Sequence, residues 1–296
     1  MSDLNDLFPG FDSHWIDTKA GKIFARSHGS GPPLLLLHGF PQTNVMWHRI
    51  APALTQTFSV VLMDLRGYGW SSAPRSRSGE AYSKRAMGED VVTVMEALGH
   101  VRFRAAGHDR GARVAYRLAL DHPGRIERLA LLDIMPTVEQ WKVIRADAGV
   151  SAHWPWLARA EPLPENDIAR GPDAYFEGLL SVWSKAKSLR AFDARAAAHY
   201  RAAWGDPTRI HAFCEDYRAG ATLDLAADEA DIAAKKIISA PVKIISGTAY
   251  LTQAEALLTI WRRTFAPGAV GATIDCGHFL AEEAGDATLA ELLSFM

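Results

Sequence analysis

Five short apolar segments constrain this chain more than any other feature: Pro33 to Leu37, Ser59 to Met63, Phe103 to Ala106, Leu129 to Leu132 and Val242 to Ile245. Each is long enough for one buried strand and too short for a buried helix. Stretches with helical periodicity separate the first four, and that alternation predicts a parallel sheet covered by helices. A further strand-like stretch, Ala269 to Ile274, lies near the C-terminus. In sheets of this kind ligands bind outside the carboxyl ends of the strands, so the loops after Leu37, Met63, Leu132 and Ile245 should surround one crevice.

Between Met135-Pro136 and Ala240-Pro241 the strand signals stop. About a hundred residues rich in Ala, Arg, Trp and Glu follow with helical periodicity, interrupted at Pro155, Pro162, Pro164, Pro172 and Pro207. The expected division is an α/β core of residues 1–136 and 240–296 with a helical cap, residues 137–239, inserted over the crevice. A chain of 296 residues with 48% hydrophobic content suffices for one such domain with its insertion. A formal net charge of −2, with the 32 Lys and Arg scattered, argues against nucleic acid as a partner. The apolar runs are too short to span a bilayer and the N-terminus has no basic stretch followed by an apolar one, so a soluble, cytoplasmic protein is expected. Cys214 and Cys276 form no disulfide framework and no metal-ligand spacing, and read as free buried thiols.

Gly107-His108-Asp109-Arg110-Gly111 closes the third strand and opens a helix expected from Ala112 to Leu120. A strand-turn-helix elbow of the form Gly-x-nucleophile-x-Gly usually presents Ser, and here it presents Asp109. One glycine is expected to permit the sharp turn and the other to let the helix pack close to the sheet. A carboxylate suits attack on a saturated carbon. Cys276-Gly277-His278 follows the final strand, where this architecture supplies its base. The acid orienting His278 should come from the same sheet edge. Asp133, directly after Leu129 to Leu132, fills that position, whereas the loop after Ile245 has no carboxylate before Glu255. His38-Gly39-Phe40-Pro41 follows the first strand and would set the backbone N–H of Phe40 beside that of Arg110 as an oxyanion hole. His38 reads as a loop brace, and Asp64-Leu65-Arg66-Gly67-Tyr68-Gly69-Trp70-Ser71 as a structural corner whose Asp64 is a lesser catalytic candidate.

Taken together, the HGFP loop, the DLRGYGWS turn, the GHDRG elbow, the LDIMPT segment and the terminal CGH resemble the α/β-hydrolase superfamily, and within it the fluoroacetate (haloacetate) dehalogenases. The resemblance runs from His38 to His278 in consistent order. It implies an α/β-hydrolase fold, a mostly parallel central sheet flanked by helices with an inserted helical cap, no cofactor, and a homodimer. It also implies that His153, Trp154 and Tyr217 bind the halide; their N–H and O–H groups are all donors. Haloalkane dehalogenases and epoxide hydrolases of this fold carry Trp after the nucleophile, and this chain carries Arg110 there, with Arg113 one helical turn on. Residues three apart share a helix face, so both guanidinium groups can grip a carboxylate. The expected substrate is a small anionic 2-haloacid. Epoxide hydrolysis through the same Asp is the enzymatic alternative, and a non-catalytic binding protein the alternative from another class. Trp156 and Trp183 are further candidates to line the cavity.

Overall fold

The computed structural model describes residues 4–251 and 254–296, without the side chains of residues 254 and 255. An eight-stranded sheet forms its centre, in the order β1-β2-β4-β3-β5-β6-β7-β8. The strands are β1 (Asp12–Thr18), β2 (Gly21–His28), β3 (Pro33–Leu37), β4 (Ser59–Met63), β5 (Phe103–His108), β6 (Ile126–Leu132), β7 (Val242–Gly247) and β8 (Val270–Ile274). From β4 to β8 every pairing is parallel. Leu34–Leu37, Val60–Met63 and Leu129–Leu132 are all at 0% exposure, as strands covered on both faces must be.

β1 and β2 add an antiparallel hairpin that the apolar-segment reading does not contain. No residue of Asp12-Ser13-His14-Trp15-Ile16-Asp17-Thr18 is buried, so this edge strand carries no apolar run to detect. Its register follows from the tight turn, with Thr18 opposite Gly21, and Trp15 packs on Phe24 at 4.9 Å between ring centroids.

β3 is flanked by β4 on one side and β5 on the other, so the chain reverses its direction of travel across the sheet there. A crevice opens outside the carboxyl ends of strands at such a reversal. Leu37 pairs opposite Gly107, which sets the loop leaving β3 against the start of the helix that follows β5.

The helices before β6 are α1 (Ala51–Leu54), α2 (Lys84–Ala97) and α3 (Asp109–Asp121). Between β6 and β7 run α4 (Thr137–Ala146), α5 (His153–Leu157), α6 (Leu163–Ile168), α7 (Pro172–Trp183), α8 (Ala194–Trp204), α9 (Pro207–Ala221) and α10 (Leu223–Ala233). The prolines there mark helix starts more than breaks: Pro172 and Pro207 open α7 and α9, where a missing N–H costs nothing. The Asp206 side chain caps α9 by accepting from Thr208 N–H. α11 (Ala254–Arg263), α12 (Leu280–Glu283) and α13 (Gly285–Leu293) complete the chain. Among the described residues, no helix is long and apolar enough to cross a membrane. Cys214 and Cys276 are free and buried.

Candidate active site

Asp109 stands on the turn where β5 passes into α3, three residues before the point from which a helix is expected in the sequence. Its φ of +46° lies in the left-handed region, which a non-glycine residue occupies only when its surroundings force it. The sharp turn assigned to a glycine therefore belongs to Asp109 itself. Gly107 and Gly111 are required for space: a Cβ on Gly107 would lie 2.6 Å from the Ala112 Cα, and one on Gly111 2.3 Å from the His38 carbonyl oxygen.

Phe40 N–H donates to Asp109 Oδ1 at 2.9 Å. Gly39 permits that approach, since a Cβ there would sit 2.4 Å from the Asp109 Cβ. The expected second donor, the Arg110 backbone N–H, makes no hydrogen bond to Asp109 among the described residues. It lies in the first turn of α3, whose N–H groups have no intrahelical acceptor. One carboxylate oxygen is thus held and the other, Oδ2, is directed toward His278.

His278 Nδ1 lies 2.7 Å from Asp133 Oδ2, and its Nε2 lies 3.7 Å from Asp109 Oδ2, beyond hydrogen-bond reach. Asp133, immediately after β6, has φ +54° and accepts the Gly247 N–H at 3.1 Å through Oδ1. Both of its oxygens are therefore engaged. The Glu255 side chain falls outside the described residues. Burial disfavours a charged His278, but Asp109 and Asp133 together outweigh it and push the imidazole up to about 9. For Asp109 burial likewise opposes ionisation, and the neighbouring His278 and Arg110 hold the carboxyl well below its ordinary range. The nucleophile candidate is an anion and the base candidate a cation as long as both face each other.

Arg110 is not free to use its whole fork on a ligand. It is buried against Asp216 of α9, with Nε donating to Oδ1 at 3.0 Å and Nη2 to the Asp216 carbonyl oxygen at 2.8 Å. Of the two arginines expected at a substrate carboxylate, Arg110 also pairs with an acid of the insertion, because a buried guanidinium without a counter-charge is costly. Its Nη1 has no hydrogen-bond partner among the described residues. Arg113 is buried too, but donates only to neutral oxygens, the Met135 carbonyl at 3.0 Å and Thr137 Oγ1 at 3.1 Å. No ion pair is formed by Arg113 among the described residues, and its Nε has no partner. The two guanidinium groups meet at Trp154, with Arg110 5.0 Å and Arg113 4.5 Å from the indole.

Tyr217 stands 5.2 Å from Phe40, 5.7 Å from His153 and 5.6 Å from Trp154, ring to ring, so His153, Trp154 and Tyr217 form one cluster beside the elbow. Burial pushes the His153 imidazole down to about 3 and raises the Tyr217 phenol, leaving both neutral. Trp183 also belongs to this wall, 4.5 Å from His153 and 5.8 Å from His278, whereas Trp156 stacks under Arg159. Sequence reasoning missed Tyr250, whose ring lies 4.3 Å from His278. The signal was its place in the loop after β7, at the same sheet edge as the other candidates. His38 accepts the Leu65 N–H at 3.0 Å, and Asp64 accepts from Asn44 and Trp70, so these residues brace the loops that carry Phe40.

A buried carboxylate with one oxygen anchored, an imidazole oriented by a second carboxylate, and neutral donors opposite can carry displacement followed by hydrolysis. Residues 32–284 match the family described as alpha/beta hydrolase fold. A fluoroacetate dehalogenase from Burkholderia sp is 40% identical over 98% of this chain and 95% of its own length. A soluble epoxide hydrolase from Corynebacterium sp. (strain C12) is 28% identical over 90% of this chain and 91% of its own length. Among solved structures, a protein from Nostoc sp PCC 7120 provisionally named an alpha/beta hydrolase has a TM-score of 0.92 at 45% identity, covering 97% of this chain and 98% of that one.

Proposed function

Because the chain belongs to the alpha/beta hydrolase family, we propose that it hydrolyses the carbon–halogen bond of small 2-haloacids such as fluoroacetate or chloroacetate. Asp109 Oδ2 attacks the α-carbon in line, and halide leaves with the bonding pair toward His153, Trp154 and Tyr217. An ester of Asp109 results. Water then attacks its carbonyl carbon while His278, oriented by Asp133, takes the proton. The acyl C–O bond breaks, glycolate departs with an oxygen that began on Asp109, and water replaces that oxygen. Haloacetate and water become glycolate, halide and a proton. The helices between β6 and β7 act as the cap that excludes bulk water.

Ester formation also switches the base on. It removes one of the two negative charges that hold His278 protonated, so the ring can release its proton and serve the second step. Developing charge on the ester's carbonyl oxygen, Oδ1, meets the Phe40 N–H, with the Arg110 N–H as the second donor.

Arg113 is the observation that carries the substrate class. A buried cation with no carboxylate partner among the described residues, next to a second guanidinium whose Nη1 is unbonded, calls for an anionic ligand. Epoxide ring opening is the second reading, favoured by the neutral hydroxyls of Tyr217 and Tyr250 near Asp109. A neutral epoxide leaves Arg113 unmatched. Incubation with a panel of 2-haloacids and terminal epoxides decides between them, by halide release against diol formation. In His278→Ala, turnover should fall by roughly 10²–10⁴-fold and an Asp109 ester should accumulate, visible by mass. Intact, unmodified protein alongside full halide release would refute the covalent route.

A further inference from the structure

We infer that Asp216 is a positioning residue for the substrate carboxylate, acting through Arg110, and that it holds the carboxylate grip and the halide donors at one spacing. The inference deepens the haloacid reading and rests on it. Arg110 and Asp216 are both at 0% side-chain exposure. Asp216 receives Arg110 through Nε, and through Nη2 at both its carboxylate and its backbone carbonyl. Contacts on two atoms of the guanidinium fix its plane, and that plane leaves Nη1 unbonded. A planar fork held along one edge has no remaining rotation, so the direction of Nη1 is decided by Asp216 rather than by the flexible arginine stem.

Asp216 is itself held. Lys84 of α2 contacts the same Oδ1, and Tyr68 O–H donates to Oδ2 at 2.8 Å. Lys84 lies in turn 3.6 Å from Asp224 of α10, so the cluster joins α2, α3, α9 and α10. The residue after Asp216 is Tyr217, whose ring lies 4.3 Å from the Arg110 guanidinium. One helical step on α9 therefore links the guanidinium that faces the carboxylate to a donor that faces the halogen. Neither residue can move along α9 without the other, which suits a substrate whose carboxylate and halogen are separated by a single carbon.

The test replaces Asp216 and Lys84 together by apolar side chains of similar volume, Asp216→Leu with Lys84→Met, which removes the acid with one of its two cationic partners and leaves Arg110 and Asp224 without those ion pairs. With folding checked by thermal melting, KM for chloroacetate should rise about tenfold or more, the loss of one charge-assisted contact. Decay of the Asp109 ester in a single turnover, which uses His278 and water, should stay within about threefold of wild type. An unchanged KM, or equal slowing of both steps, overturns the inference. If the double variant does not fold, Asp216→Asn, which keeps the volume and an acceptor oxygen, carries the same comparison. A wild type that releases no halide from any 2-haloacid counts against the haloacid reading and leaves this one to the variant's crystal structure. There a displaced Arg110 guanidinium supports the inference, and an unmoved one rejects it.

Discussion

His278 keeps its proton because two carboxylates face it, one through Nδ1 at 2.7 Å and one across 3.7 Å from Nε2. Removing either charge should be readable in its titration. Imidazole NMR should find His278 titrating near 9 in the wild type and clearly lower in Asp109→Asn; an unshifted titration would remove Asp109 as a cause. The linkage to stability has a definite sign. A group whose folded value of about 9 exceeds its ordinary 6.5 stabilises fully below 6.5, and that contribution disappears as pH rises through 9. Thermal melting of the wild type should therefore weaken on that alkaline side, and Asp109→Asn should weaken less over the same window. Asp109 and His278 could be named from Gly-x-Asp-x-Gly and Cys-Gly-His because each motif describes a local backbone. Asp216 could not, since its partner Arg110 lies 106 positions away and only the folded chain brings the two together.

At the scale of elements, the join between β3 and α3 decides whether the elbow works. The loop after Leu37 and the first turn of α3 approach so closely that Gly39 has no room for a side chain. Gly39→Ala would force a Cβ to within 2.4 Å of the Asp109 Cβ, costing about 1–3 kcal/mol in backbone displacement. Both the melting temperature and halide release should drop, because the displaced groups include the Phe40 N–H. Gly99→Ala is the control: φ is +84° but nothing lies within 4 Å, so it should cost about 1 kcal/mol and leave turnover unchanged. Wild-type halide release by Gly39→Ala would sink this account of the join. The central strands were legible because apolar runs bounded by turn residues mark strands buried on both faces. The hairpin of β1 and β2 was not, since an exposed edge strand owes its position to pairing and not to burial. Tyr250 escaped notice for a related reason: a loop has no periodicity from which to read a side chain's direction.

On the scale of the whole molecule, the helices between β6 and β7 are tied to the core by buried polar contacts as well as by aromatic packing. Tyr200 of α8 donates to Glu282 Oε1 of α12, and Gln42 Nε2 donates to the same oxygen at 3.1 Å. Glu282 Oε2 has no partner among the described residues, and burial pushes the carboxyl up to about 8 from an ordinary 4.5. Between those values the unfolded chain ionises while the folded one stays protonated, so stability is complete below 4.5 and falls as pH rises toward 8. Glu282→Gln keeps the acceptor and removes that loss. Its melting temperature should match wild type near pH 4.5 and exceed it by several degrees near pH 8; a constant gap would show that Glu282 does not titrate in this range. The chain's own order of residues determined the sheet, the helical insertion and the identity of the elbow, because buried strands, helix starts and tight turns each need particular side chains at fixed local spacing. Tertiary structure alone decided which groups are partnered: that Arg110 is claimed by Asp216 while Arg113 has no acid among the described residues, and that His278 faces two carboxylates. Charge pairing depends on distances across elements far apart in the chain, and such distances exist only once the elements have packed.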